Sequence, residues 1–189
     1  MPIKPADQVV AQSVSWLWRD RIPLGKLVIM DGDPDLGKSL LALDLCARLS
    51  TGQPFPDGRP GPGPAKALVL SAEDTAADTI VPRLRQLGAD VQRVFVWQRQ
   101  RDDEVWPRRF PAQVDRLDEA LCRTGARLAV IDPIMAFLDD SVLCASDQSV
   151  RRALAPLDAL GRQAPMRPAP GLFLLRERGG PAALRCSGP

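Results

Sequence analysis

Short apolar runs alternate with longer amphipathic stretches along most of the chain. The apolar runs predict buried strands, at residues 26–30, 67–71, 94–97, 128–132 and 171–175. Helical spacing of apolar residues predicts helices at 40–49, 75–88, 111–124 and 147–163, with Gly88 and Gly125 as two of the stops. Strands that alternate with amphipathic helices are typical of a parallel sheet covered on both faces. The pattern therefore predicts an α/β fold.

The remaining segments are short. Residues 6–18 are expected to form a helix that ends at Trp16-Leu17-Trp18, and residues 19–25 then lead into the first strand. The Pro/Gly-rich segment at 52–65 is expected to be a surface loop, because proline fixes φ and lacks a donor. A chain of 189 residues suits one domain over 1–189, with a lead-in at 1–25 and an atypical end at 164–189.

Composition narrows the chemistry. Histidine is absent, which excludes histidine bases, histidine metal ligands and a Ser-His-Asp triad. The four cysteines include no C-x-x-C pair, so a zinc site is not expected, and Cys46 and Cys122 are predicted to be core thiols. The net charge of +2 does not by itself favour nucleic-acid binding. Because no signal peptide or long apolar run is visible, we expect a cytoplasmic protein without a membrane segment.

The junction between the first strand and its helix carries the most specific motif. It reads Gly32-Asp33-Pro34-Asp35-Leu36-Gly37-Lys38-Ser39, the G-x-x-x-x-G-K-S pattern of the phosphate-binding loop called Walker A. Backbone N–H groups of such a loop, and of the helix that continues at Leu40, bind phosphate oxygens. Lys38 is expected to reach the β- and γ-phosphates and Ser39 to ligate Mg²⁺. Residues 32–40 are therefore predicted to bind ATP with Mg²⁺, and a glycine turn before an ordinary helix is the alternative.

Two carboxylates follow later strands. Asp132 ends an apolar strand, which is the Walker B pattern, and is expected to hold Mg²⁺ directly or through water. Glu73 follows the strand at 67–71 and is expected to orient the attacking water, so that Glu73 and Lys38 are the predicted catalytic residues. Ligands bind at the carboxyl ends of parallel strands, so these residues should meet at one edge of the sheet. The alternatives are a strand-end turn at Asp132-Pro133 and a helix cap at Glu73-Asp74.

Together these residues resemble the RecA-like P-loop ATPases, and among them the RepA-like group of hexameric replicative helicases and related AAA family ATPases. The segments that carry the resemblance are 16–26, 32–39, 71–74, 128–133 and 147–154. The resemblance implies a three-layer RecA-like fold with a mainly parallel sheet and Mg²⁺-dependent ATP hydrolysis. It also implies a hexameric ring and action on single-stranded DNA during replication.

Three features depart from that group. Asp35 stands where glycine is usual, which is tolerable if its φ is positive, since Asp enters that region more readily than most residues. Leu175-Arg176-Glu177 replaces a polar sensor segment, and Glu177 occupies the approximate position of its histidine. Residues 183–188 look like a shortened remnant of further strands. These departures lead us to expect a truncated or partly decayed gene product, with a frameshift near residues 164–170.

Several functions stay open. Lys38, Glu73 and Asp132 favour an ATPase, whereas Asp35 and Glu177 favour a nucleotide- or partner-binding module with little turnover. A third hypothesis is an ATPase that acts on protein rather than DNA.

Candidate contacts to a neighbouring subunit or to DNA are less specific. Arg176 and Arg178 are candidate arginine fingers, although such arginines are more often solvated. A single-stranded DNA surface is a further hypothesis, which interleaved acids at 102–104 weaken; its residues are Arg99, Arg101, Arg108, Arg109, Trp97 and Trp106. The resemblance instead favours the loop at 139–147 as the DNA-facing element, although Asp139 and Asp140 weigh against direct contact with phosphates.

Overall fold

Strands and helices alternate along the chain in the computed structural model, which describes residues 3–98, 109–139, 141–142, 147–162 and 169–177. The strands are β1 (Trp16–Trp18), β2 (Ile22–Pro23), β3 (Leu27–Gly32), β4 (Ala67–Ser71), β5 (Val94–Trp97), β6 (Leu128–Asp132) and β7 (Gly171–Glu177). The α-helices are α1 (Lys38–Thr51), α2 (Val81–Gln86), α3 (Val114–Thr124) and α4 (Asp147–Arg162). Ala6–Gln8 and Ile134–Phe137 form 3₁₀ turns, and Ala76–Ile80 form a π-helical turn that runs directly into α2.

Strands β3 to β7 form an all-parallel sheet in the order β3–β7–β6–β4–β5. The predicted α/β fold is thereby confirmed, and β4, β5 and β6 have the bounds that their apolar runs predicted. Strand β7 lies between the strand that precedes the glycine loop and the strand that ends in Asp132. Its residues 172–175 are all buried, as expected for a parallel strand with both faces covered.

Alternate residues of the strands belong to two separate cores. Val69 and Val130 pack in the core under α1 and α2, whereas their neighbours Leu70 and Ile131 pack in the core under α3 and α4. The helices therefore cover both faces of the sheet, which gives the predicted three-layer arrangement. None of the helices in the described ranges combines the length and the apolar character that crossing a bilayer requires.

The lead-in to the sheet differs from the predicted helix over 6–18. Only Ala6–Gln8 form a helical turn, and β1 and β2 pair as a short antiparallel hairpin. Val9 and Val10 are 61% and 86% exposed, so this stretch has no apolar stripe for a helix to bury. Leu17 and Ile22, by contrast, are buried in the core under α1, and their burial favours the hairpin.

The Pro/Gly-rich segment at 52–65 is a loop, as predicted, and it is fastened to that hairpin. The ring of Phe55 stacks on Trp18 with centroids 5.2 Å apart. Trp18 Nε1 donates a hydrogen bond of 2.9 Å to Asp57, and Arg59 pairs with Asp20 at 2.7 Å. These contacts hold a loop that has no regular backbone pairing of its own.

The two described cysteines occupy different environments. Cys46 is fully buried in α1, as predicted, and burial raises the pKa of its thiol to about 12. The prediction that Cys122 is a core thiol is wrong, because this residue is exposed. Leu117 and Leu121 of α3 face the core four residues apart, and the next position along a helix is rotated by about 100° from that stripe.

Close contact between α4 and the start of the sheet predicts an unusual response to a helix-stabilising substitution. A Cβ added at Gly161 would lie 2.8 Å from the carbonyl carbon of Gly25, whose own φ is +73°. Gly→Ala in a helix normally stabilises by up to about 1 kcal/mol. We expect Gly161→Ala instead to lower the unfolding free energy by about 1–3 kcal/mol, because backbone has to move.

Chemical denaturation of purified protein measures this change. Ala155→Gly, at an exposed position of the same helix, is the control. It measures the effect of helix propensity alone on the unfolding free energy, which should fall by about 1 kcal/mol. A Gly161→Ala protein as stable as the wild type would show that the two segments are not in close contact.

Candidate functional site

The loop between β3 and α1 contains two residues in the left-handed region. Asp35 has φ of 62° and Gly37 has φ of 76°. No described atom lies within 4 Å of a Cβ built at Gly37, so conformation rather than space accounts for this glycine. Gly37 flanks α1 directly, and the first turn of a helix has N–H groups without intrahelical acceptors. The loop therefore leads onto a group of backbone donors that can bind an anion.

Lys38 folds back over this loop. Its Nζ donates a hydrogen bond of 2.6 Å to the backbone oxygen of Asp33. A Cβ built at Gly32 would lie 3.6 Å from Cδ of Lys38, which is ordinary van der Waals contact, so the lysine stem passes directly beside Gly32. The ammonium group is thus held at the loop, beside the amino end of α1.

Ser39 and Asp132 line one small cavity, together with Ser71 and Asp74. Strands β4 and β6 pair in register with Ser71 opposite Asp132, and Ala72 N–H donates to the oxygen of Asp132 at 3.0 Å. The two strand ends are therefore level with each other, and the first turn of α1 closes the cavity. The predicted meeting of the glycine loop with the carboxyl ends of β4 and β6 is what this geometry shows.

Glu73 and Asp74 leave β4 in different environments. The backbone N–H of Asp74 donates to Oγ of Ser71 at 3.0 Å, and Oδ2 of Asp74 accepts a hydrogen bond of 2.9 Å from Arg83 of α2. Asp74 is therefore engaged in an ion pair, and of the two candidate caps, Thr75 and Asp74, Thr75 takes the N-cap position in extended conformation. Glu73 is exposed at the carboxyl edge of the sheet.

The π-helical turn after Thr75 is also tied by polar contacts. The hydroxyl of Thr75 donates to Oδ1 of Asp78, and the hydroxyl of Thr79 donates to the same oxygen at 2.9 Å. These two hydrogen bonds lower the pKa of Asp78, that from Thr75 most. The carboxylate of Asp78 is therefore charged throughout the neutral range and holds this turn beside the cavity.

The motif search did not single out Ser71, Asp74 or Arg83 as residues of the site. Ser71 looks like an ordinary strand-end residue, and only its register with Asp132 brings it into the cavity. Asp74 and Arg83 are nine positions apart, so no helical or strand period connects them. A period-based search for pairs would not have found them.

The side chains present at the cavity suit a Mg²⁺ ion that also binds phosphate. Ser39 supplies a hydroxyl and Asp132 a carboxylate, and Mg²⁺ prefers such oxygen ligands. Within the described residues there is no group of three or more acidic, histidine or cysteine side chains that could hold a metal ion. Substrate phosphate and water would have to complete the coordination, which is the usual arrangement for Mg²⁺ with a nucleotide.

Other predicted residues are only partly described. Arg176 and Glu177 are opposite Asp31 and Gly32 in the β3–β7 register, so β7 ends beside the glycine loop. The second candidate finger, Arg178, and the segments 163–168 and 178–189 lie outside the described residues. Of the candidate DNA surface only Trp97 and Arg109 are described; Arg99, Arg101, Trp106 and Arg108 are not. In the alternative loop at 139–147, positions 140 and 143–146 are likewise outside.

Comparison with known proteins yields one family. The family model described as AAA domain matches residues 5–165, which is most of the chain and includes the glycine loop, Glu73 and Asp132. No curated protein matches the chain.

The left-handed conformation of Asp35 yields a prediction about stability. A non-glycine residue in this region costs about 1–3 kcal/mol, and Asp is among the less costly. We expect Asp35→Gly to raise the unfolding free energy by about 1 kcal/mol, net of the added flexibility of the unfolded chain. Denaturant titration gives the value.

Asp33→Gly is the matched control, because it removes the same charge two positions away. Asp33 is exposed and is not among the described residues with positive φ, so its replacement should destabilise by about 0.5–1 kcal/mol. If both variants changed stability alike, charge rather than backbone strain would be the dominant effect.

Proposed function

The chain belongs to the AAA domain family, and from that premise we propose that it is a Mg²⁺-dependent ATPase whose nucleotide binds on residues 32–40. The observation that carries the proposal is that Ser39 of the glycine loop and Asp132 of β6 line the same cavity. These are the two oxygen donors that P-loop ATPases require for the metal. The two donors come from motifs more than ninety residues apart, which the parallel direction of the strands brings to one edge of the sheet.

Residues 32–40 are assigned to the phosphates of ATP. The backbone N–H groups of the loop and of the first turn of α1 donate to phosphate oxygens. Lys38 contributes its positive charge, and it can exchange the carbonyl of Asp33 for a phosphate oxygen because both are hydrogen-bond acceptors. Ser39 and Asp132 would hold Mg²⁺, which would supply neutralisation of the charge on the phosphate oxygens.

Glu73 is assigned to the attacking water. Glu73 is an exposed carboxylate just beyond the end of β4, the strand that pairs with β6. Glu73 orients the water and accepts its proton as the oxygen attacks the γ-phosphorus. The bond from the γ-phosphorus to the bridging oxygen breaks, and ADP leaves with the electron pair.

A nucleotide-binding module with little turnover is the alternative, and Asp35 is the residue that favours it. A carboxylate about 6 Å from the β-phosphate would be repelled by roughly 2–3 kcal/mol at an effective dielectric near 20. That cost corresponds to up to about a hundredfold in affinity. However, Asp35 is exposed, and water and salt weaken charge interactions at exposed positions. We therefore favour the ATPase.

A role in replication as a helicase-related ATPase rests on the resemblance of the glycine loop, residues 71–74 and residues 128–133 to the RepA-like group. In that proposal the partners are single-stranded DNA and further copies of the chain in a ring. An ATPase that acts on a protein is the competing hypothesis. The two hypotheses differ in whether DNA changes the rate of ATP hydrolysis.

Separate measurements of nucleotide binding and turnover test the proposed site. Lys38→Ala should abolish Mg²⁺-ATP binding. Glu73→Gln should leave binding nearly unchanged and lower steady-state turnover by about 10²–10⁴-fold, because it removes the base and keeps the shape. Glu119→Gln, an exposed glutamate of α3 away from the cavity, is the matched control and should retain full turnover.

Three results would contradict this assignment. If the wild-type protein binds no Mg²⁺-ATP and Asp35→Gly does not restore binding, residues 32–40 are not a nucleotide site. Binding without measurable turnover supports the binding module instead. Turnover that survives Glu73→Gln shows that another group orients the water.

Addition of single-stranded DNA tests the helicase branch. We expect an oligonucleotide to stimulate ATP turnover severalfold, and we expect the stimulation to weaken steeply between about 0.05 and 0.2 M salt, because phosphate contacts release counterions. Double-stranded DNA of the same sequence is the comparison. An ATPase rate that does not respond to DNA, with no binding by fluorescence anisotropy, would favour the protein-directed hypothesis.

A further inference from the structure

A second cavity lies at the edge of the sheet opposite the glycine loop. Its volume is about 420 Å³, which falls within the range of small-molecule sites, about 300–1,000 Å³. Lys26 immediately precedes β3 and Arg127 immediately precedes β6, so the cavity is at the amino ends of the strands. Because β3 spans six residues, about 20 Å of strand separates this cavity from the loop.

The charged side chains that line this cavity in the described part of the chain are all positive. Lys26 and Arg127 are both cationic, and the described residues that line the cavity include no acid. Gln12, Ser13 and Ser15 add amide and hydroxyl groups to its wall. Two cations with neutral hydrogen-bonding groups and no counter-charge form an environment for an anion.

Arg127 is held in place by its backbone. Its N–H donates to the oxygen of Lys66 at 2.8 Å, and its carbonyl accepts from the N–H of Gly171 at 2.8 Å. Its side-chain Nε is buried and has no hydrogen-bond partner in the described part of the structure. Most buried polar groups in native proteins are paired, and an unpaired one calls for an explanation such as a bound ion. One donor of the guanidinium, Nε, therefore has no acceptor among the described residues.

Part of the wall opposite the strands is fastened beside the sheet. Leu24 N–H donates to the oxygen of Ser15 at 2.8 Å, and Gly25 N–H donates to the oxygen of Pro170 at 2.9 Å. Ser15 and Leu24 are thus held beside the amino ends of β3 and β7. The part of a site that is already ordered loses less conformational entropy when a ligand binds.

We propose that this cavity binds a small organic oxyanion, a molecule with phosphate or carboxylate groups, and that Arg127 and Lys26 are its charge partners. The planar guanidinium suits two oxygens of one such group, and the ammonium suits a second group as a point charge. The volume favours a metabolite-sized ligand over a single inorganic ion. This site is independent of the nucleotide site, so neither proposal depends on the other.

Calorimetric titration with citrate and with pyrophosphate tests the proposal and separates the two ligand classes. The titrations use Lys38→Ala protein, so that the glycine loop does not contribute, at about 0.15 M salt to suppress unspecific charge effects. We expect saturable binding of at least one probe. In this background, Arg127→Lys, which keeps the charge but removes the planar fork, should weaken binding by about tenfold or more, and Lys26→Met should do the same.

Lys66→Met is the matched control. Lys66 is exposed, its carbonyl contacts Arg127, and its Nζ lies 5.7 Å from the ring centroid of Phe95, outside the cavity. Its replacement should leave affinity unchanged. The proposal is overturned if neither probe saturates, if Arg127→Lys and Lys26→Met both bind like the parent, or if Lys66→Met weakens binding to the same degree. Thermal melts of each variant verify that it is folded.

Discussion

Parallel pairing of five apolar strands is the constraint on which the other features depend. A parallel strand needs a crossover connection, and the helices in those connections cover both faces of the sheet. All carboxyl ends then lie at one edge. The register of Ser71 with Asp132 brings two strand ends level, and α1, packed against the same strands, places Ser39 beside them. A cavity assembled from three distant segments follows from strand direction more than from any local sequence.

The two edges of the sheet have opposite chemistry. Acidic residues cluster at the carboxyl edge, near the ends of β3 and β6, in the glycine loop and just after β4, namely Asp31, Asp132, Asp33, Asp35, Glu73 and Asp74. Such an edge repels a bare triphosphate, and in the proposed function Lys38 and a divalent cation offset that repulsion. At the amino edge, Lys26 and Arg127 line a cavity without any acid among its described residues. An anion can approach that edge without a metal.

The sequence predicted the structure correctly where a single hydrophobic pattern or a single motif determines it. The bounds of β4, β5 and β6 follow from apolar runs buried on both faces, and the placement of Ser39 and Asp132 follows from motifs tied to strand ends. It failed where tertiary contacts decided. The hairpin of β1 and β2 depends on burial of Leu17 and Ile22 in the core under α1. The Asp74–Arg83 pair depends on the turn between them. Arg127 belongs to no sequence motif. It stands out only in the three-dimensional structure, where its buried Nε has no hydrogen-bond partner among the described residues.

A glycine at position 35 of the loop would meet two requirements, and Asp35 meets only one of them. One is a left-handed backbone, which Asp adopts at a modest cost. The other is the absence of a side chain near the phosphates, which Asp does not meet. Lys38 donates its hydrogen bond to the backbone oxygen of Asp33 rather than to Asp35. The position of the lysine therefore does not depend on which side chain occupies position 35. The effect of Asp35 is therefore confined to local strain and to a charge that solvent weakens at this exposed position. On physical grounds we expect Asp35 to lower nucleotide affinity without removing the architecture of the loop.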